Sequence, residues 1–128
     1  MKKQKHIVVY GYPEEDVNKI KSFLDQKFNI SLEIISASGK ENIKIAEIVE
    51  SNENSFFEDK QDKVLMFLDF LDEEIRYLLY NFSDINIAKP LFCVLTEHNI
   101  EWNFDKLILD LIEERKYFEE KRKSERRE

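Results

Sequence analysis

Apolar residues fall along this chain in two rhythms that alternate. Four short, nearly unbroken runs, "HIVVYGY" (6–12), "SLEIISAS" (31–38), "KVLMFLDF" (63–70) and "LFCVLT" (91–96), read as strands, the first and third buried on both faces. Between and after them the apolar positions move to helical spacing. The stripes are Val17, Ile20, Phe23, Leu24 and Phe28; then Ile43, Ile45, Ile48 and Val49; then Ile75, Leu78, Leu79 and Phe82; and last Phe104, Leu107, Ile108, Leu111, Ile112 and Phe118. Pro13 suits a first helical turn, where its missing N–H costs nothing. The second stripe is the weakest helix signal, because β-branched residues are poor helix formers. The pattern predicts β-α-β-α, twice.

The two halves align. At an offset of 58, Gly11 matches Asp69, Tyr12 matches Phe70, Glu14 matches Asp72, Val17 matches Ile75, Ile20 matches Leu78 and Leu24 matches Phe82. The offset drifts to 63 by the last helix, where Ile48 pairs with Leu111 and Glu50 with Glu113. A period of this length is a whole supersecondary unit. Two such units predict an α/β fold with a four-stranded, mostly parallel sheet of order 2-1-3-4 and helices on both faces. Strands one and three pair at the centre about an axis along the strands, with helices one and four on one face and two and three on the other. A ferredoxin-like α+β sandwich, with the second helix reduced to a loop, is the alternative. Residues 1–128 are expected to form one domain with repeat halves 6–50 and 63–118, joined by a polar connector, and 119–128 a solvated, charged helical tail.

Charge and composition narrow the function classes. A formal charge of −7 over 128 residues opposes binding to phosphate backbones, so nucleic acid is not expected as a partner. No run approaches the roughly 18 to 20 apolar residues of a membrane span, and the N-terminal apolar run is too short for a secretory signal. The single Cys93 lies in an apolar run and reads as a small buried hydrophobe of a reducing compartment, which places the protein in the cytoplasm. Neither half carries GxGxxG or GxxxxGK, and no zinc spacing or nucleophile elbow occurs. No cofactor is expected.

In open parallel sheets ligands settle beyond the carboxyl ends of strands where the strand order switches. That rule predicts a crevice lined by Tyr10-Gly11-Tyr12 and Leu68-Asp69-Phe70. Two acidic helix starts, Glu14-Glu15-Asp16 and Asp72-Glu73-Glu74, flank it and complement the positive helix ends. Carboxylates there disfavour phosphate but are hard oxygen ligands, which makes Asp69, Glu14 and Asp72 the candidates for a divalent cation. Asp69 closing one strand and Thr96 closing the next have the placement of a phosphoacceptor aspartate and its threonine. The first strand, however, ends in aromatics and glycine instead of an acidic pair, and no fifth strand brings a lysine. Cys93 and His98 read as core thiol and loop imidazole. Trp102, just before Asn103 as a helix cap, reads either as a hydrophobic staple or as an anchor for a partner, with Tyr77 and Tyr80 on the same exposed surface. Phe104, Leu111 and Phe118, spaced by seven, offer a seam for self-association.

The second half, with Phe70, Asp72-Glu73-Glu74, Thr96, Trp102 and the Leu107–Leu111 stretch, resembles a small bacterial family known as domain of unknown function 3783. The resemblance implies a cytoplasmic bacterial protein and brings no activity, cofactor or catalytic residue with it. The first half shares the plan but has "SASGKENIKI" where the Thr…Trp passage would stand. The function expected is a non-enzymatic protein-interaction or regulatory module with a protein partner or a second copy of itself, as a homodimer. The candidate surface is Gly11, Tyr12, Asp69, Phe70, Thr96 and Trp102. The alternative is a divalent-metal-dependent phosphotransfer or hydrolytic site centred on Asp69.

Overall fold

Strands that are apolar on both faces need two layers of cover, and this chain supplies both. The computed structural model describes residues 3–126. Residues 1–2 and 127–128, the start of the basic N-terminal stretch and the end of the charged tail, lie outside them. The elements are β1 (Lys3–Tyr10), α1 (Glu14–Phe28), β2 (Ile30–Ser36), α2 (Ile45–Ser51), β3 (Val64–Leu68), α3 (Asp72–Asn81), β4 (Leu91–Val94) and α4 (Phe104–Arg126), with short 3-10 turns at Phe82–Ile85 and Asn99–Glu101. The second helix forms despite its β-branched residues, and the ferredoxin-like alternative falls away.

The sheet has the order β2-β1-β3-β4 that the sequence predicts. The β1–β2 and β3–β4 pairs are parallel. The central pair differs: β1 and β3 run antiparallel, with His6 opposite Leu68 and Tyr10 opposite Val64. The chain between β2 and β3 accounts for the reversal. α2 has only seven residues, about 10 Å at 1.5 Å per residue, and the connector after it is held by backbone bonds to Ser36 and Gly11 instead of running back along the sheet. It turns at the carboxyl ends of β1 and β2, and β3 starts there.

Reversing β3 also moves the helices. Two antiparallel neighbours are related by an axis normal to the sheet, which keeps corresponding helices on one side. α1 (Val17, Ile20, Leu24) and α3 (Leu78) share one core with Ile7, Val9, Leu65 and Phe67. α2 (Ile45, Ile48) and α4 (Phe104, Leu107, Ile108) share the other with Val8, Tyr10, Met66 and Leu68. The expected pairing of helices one with four and two with three is thus corrected, along with the axis that implied it.

The final helix also departs from its predicted stripe. Phe104, Leu107 and Ile108 are buried, Leu111 and Ile112 are half-buried, and residues 113–125 are all exposed. Phe118 lies beyond the sheet and Phe104 is fully enclosed in its own core, so the seven-residue seam of Phe104, Leu111 and Phe118 cannot present one surface.

Candidate docking groove at the ends of β3 and β4

Each central strand ends in a residue with left-handed backbone: Gly11 at φ +90° one position after β1, and Asp69 at φ +62° one position after β3. Glycine takes this conformation freely, and Asp and Asn are the side-chain-bearing residues that enter it most readily. An extended residue follows two positions on, Pro13 or Leu71, and a helix begins in acidic residues. Both turns have a lysine from the neighbouring central strand region laid over their aromatic: Lys63 Nζ is 5.5 Å from the Tyr12 ring and Lys5 Nζ is 5.6 Å from the Phe70 ring. Lys5 and Lys63 are themselves 58 apart. The repeat offset was sufficient to pair them from sequence, but only the antiparallel register shows that each lysine serves the other half.

The first turn is sealed. Tyr12 is fully buried and its hydroxyl donates to the Ala88 carbonyl; burial, and after it the charge of Asp16, push its pKa well up. The connector then closes the strand ends through backbone bonds. Ser36 N–H donates to Glu53 O at 2.6 Å and Lys60 N–H to Gly11 O at 2.9 Å. Ser36 Oγ donates to Phe56 O, and Glu58 N–H donates to Ser38 Oγ. So residues 53–60 fill the space beyond β1 and β2.

At the second turn the corresponding space is open. A cavity of about 500 Å³ is lined by Val49, Phe67, Leu68, Asp69, Phe70, Asp72, Ile75, Val94 and Leu95, within the usual size range of ligand sites. The floor is apolar and the rim carries the Asp69 and Asp72 carboxylates. Lys5, only 7% exposed, is committed beneath it: its Nζ donates to Asp69 O at 2.5 Å and pairs with Glu74 Oε1 at 3.3 Å. The same Glu74 oxygen accepts the Leu71 N–H at 2.8 Å, which satisfies one open donor at the start of α3. The lysine charge is spent on the turn, so the groove mouth is acidic.

The structure separates the residues that the sequence placed in one crevice. With Tyr10 opposite Val64 and His6 opposite Leu68, Gly11 and Tyr12 sit at one end of the sheet and Asp69 and Phe70 at the other. Glu14 is likewise at the far end from Asp69 and Asp72, and the expected convergence of their carboxylates does not occur. Among the described residues no three His, Cys, Asp or Glu side chains group as metal ligands. Thr96 builds the turn after β4. It exchanges bonds with Asn99, whose Nδ2 also donates to the Val94 carbonyl at 3.0 Å. Trp102 is half-buried against the α2–α4 core, its carbonyl accepts the Ile45 N–H, and Lys106 Nζ lies 3.9 Å from its ring centre. It joins α2 to α4 and is not a free anchor. At the start of α4 the Phe104 and Asp105 N–H groups donate to the carbonyls of Ile43 and Glu41, and the Lys106 N–H donates to the Asn103 carbonyl at 3.1 Å. The Cys93 thiol faces α4, and burial, with Glu114 second, pushes it up to about 12. Tyr77 and Tyr80 are exposed on α3.

Sequence reasoning missed Val49, Phe67, Ile75, Val94 and Leu95 as groove walls. Val94 ends the edge strand and is 43% exposed, a solvated apolar residue that the unbroken run "LFCVL" disguises as core.

An α/β sheet with one filled and one open strand end is the class that fold and site define. Residues 63–118, which carry the open end, match the profile of a family described as a domain of unknown function (DUF3783). No curated protein and no solved structure matches the chain. No helix of the described residues is long and apolar enough to cross a membrane.

Proposed function

We propose that this chain is a non-enzymatic protein-interaction module and that it docks its partner in the groove beyond β3 and β4. The observation that carries this reading is the contrast between the turns: where the first half fills its strand ends with its own residues 53–60, the second leaves an apolar, acid-rimmed space of the same origin empty of chain. A protein segment is what fills the first, and a protein segment with an apolar residue beside a basic one suits the second. The chemistry present fits docking better than catalysis. A thiol raised to about 12 is not a nucleophile at neutral pH, and Asp69 stands apart from Glu14. The paired left-handed turns, paired lysines and common offset support a duplicated unit in 6–50 and 63–118 within a single domain. A lone, half-buried thiol supports a reducing compartment such as the bacterial cytoplasm.

Panning a displayed random dodecapeptide library against the full chain tests the reading. Enriched peptides should carry an aromatic or large aliphatic residue next to Lys or Arg, and should lose binding to Asp72→Lys and Val94→Arg. Enrichment that ignores both substitutions, or none at all, would overturn it.

A further inference from the structure

We infer that the groove's occupant is a second copy of this chain, and that the exposed end of α4 supplies the docking segment. The inference rests on the groove reading above. Residues 113–125 extend for about 20 Å past the core. Phe118, 49% exposed, continues the face on which Phe104 is buried and Leu111 half-buried, but has no sheet beneath it. Arg115 and Arg122, three before and four after, stand on the same face, so the helix end presents an aromatic between two guanidinium groups. The groove presents the complement: Phe67, Phe70, Ile75, Val94 and Leu95 below, Asp69 and Asp72 at the rim. The charge balance follows the same division. Residues 1–112 hold 13 basic against 21 acidic side chains, and residues 113–128 hold 7 against 6.

The edge strands say how two copies meet. The β2 edge is closed, because Asp25 Oδ1 accepts the Leu32 N–H and Lys21 Nζ donates to the Leu32 carbonyl. On the β4 edge one group is engaged: the Val94 carbonyl accepts Asn99 Nδ2 at 3.0 Å, which leaves that oxygen a second lone pair for a neighbouring strand. Leu91 and Leu95 donate their N–H groups to the carbonyls of Lys63 and Phe67, so by strand alternation Phe92 and Val94 turn theirs outward. Two β4 edges paired antiparallel about a two-fold axis bring the start of one strand beside the end of the other. α4 leaves the sheet at the start of β4, where Arg115 shares a cavity wall with Lys89 and Leu91; the groove opens at its end, at Val94 and Leu95. The helix end of each copy therefore reaches the groove of the other. Phe92 of each copy then stands opposite Val94 of the other. An isologous interface of this kind closes on itself as a dimer.

Light scattering on size-exclusion fractions of the full chain, loaded at about 100 µM to exceed the micromolar dissociation constants of modest interfaces, tests this. The expected mass is twice the 15.5 kDa of one chain. Phe118→Glu and Asp72→Lys should each weaken the dimer at least tenfold with an unchanged circular dichroism spectrum, since both residues are exposed. Combining Asp72→Lys with Arg122→Glu should restore it. A wild-type monomer at that concentration overturns the dimer and leaves the groove to the peptide library. A dimer broken by Phe118→Glu but indifferent to Asp72→Lys and Val94→Arg overturns the groove as its seat. A dimer that survives Phe118→Glu overturns the helix end.

Discussion

At the end of β1 the left-handed residue is Gly11, and the chain presses on it. A Cβ there would lie 2.3 Å from the Asp62 carbonyl oxygen. At the end of β3 the left-handed residue is Asp69, exposed, with room for a whole carboxylate. Tyr12 beside the first is fully buried, and Phe70 beside the second is half-buried. The same turn thus closes a core in one half and edges a cavity in the other. What differs is the next piece of chain: a twelve-residue connector, residues 52–63, folds over the first turn, and after the second the chain departs along β4 and α4. A module built of two like units can in this way spend one strand end on stability and keep the other for binding.

The largest effect should come from removing the filler of the sealed end. Tyr12→Ala should cost about 3–5 kcal/mol in urea unfolding, as other deletions of enclosed aromatic side chains do. Phe70→Ala should cost about 1 kcal/mol, in proportion to its partial burial. Equal losses would mean that the second end is as tightly packed as the first, and the contrast would fail. The backbone gives the next test. Gly11→Ala must resolve a close approach to backbone as well as adopt positive φ, for about 2–3 kcal/mol. Asp69→Ala faces only the conformational penalty, about 1 kcal/mol, and Asp69→Gly should be neutral or slightly stabilising.

The turns were legible in sequence because a glycine and an aspartate stand at matching positions before acidic helix starts. Strand order was legible because the repeat sets the first and third apolar runs side by side, and strands that read as buried on both faces belong at the centre. Direction was not. A strand buried on both faces has no polar side to orient it, and its pattern reads alike in either sense. What decides direction is a short α2 followed by a connector tied to the ends of β1 and β2, and neither the weak helix stripe nor the polar connector announces those bonds in sequence. Once β3 is reversed, Gly11 and Asp69 part company, and a single crevice becomes two strand ends. The groove was half legible: Asp69, Phe70 and Asp72 were named, but its outer wall is β4, whose apolar residues look like core when read without their place at the sheet edge. Trp102 kept two readings for a related reason, since large aromatics before a helix serve joints and interfaces alike.

The lysines offer a subtler comparison. Lys5 and Glu74 have side chains 9% and 15% exposed, whereas the partner of Lys63, Asp59, is 71% exposed. Methionine keeps the apolar stem in both places. Lys5→Met leaves the Asp69 carbonyl and a shielded Glu74 without their cation and should cost about 2 kcal/mol, the worth of hydrogen bonds to a charged group. Lys63→Met gives up a bridge that water already screens, and should cost under about 1 kcal/mol. Salt should narrow the first loss little and the second almost entirely.

Alkaline titration should separate the two ends by the smallest margin. Tyr10 belongs to the sealed end, where its hydroxyl donates to Glu41 Oε2 at 2.9 Å. Burial, and next the Glu41 hydrogen bond, push its pKa from 10.0 up to about 12; the matching position in the second half is Leu68, which does not titrate. The folded state prefers the neutral phenol. Its contribution is therefore complete below pH 10, where the unfolded chain is also neutral, and is lost as pH rises towards 12. Tyr10→Phe should be less stable than wild type near neutrality by about 1 kcal/mol, the usual worth of one hydrogen bond. That gap should close between pH 10 and 12 as wild type loses what the variant never had. Leu68→Val, a change at the matching place in the other half, should instead shift the urea midpoint by the same amount at every pH. If the Tyr10→Phe gap stays constant to pH 12, the phenol is not held neutral by its surroundings, and the sealed end is wetter than its packing implies.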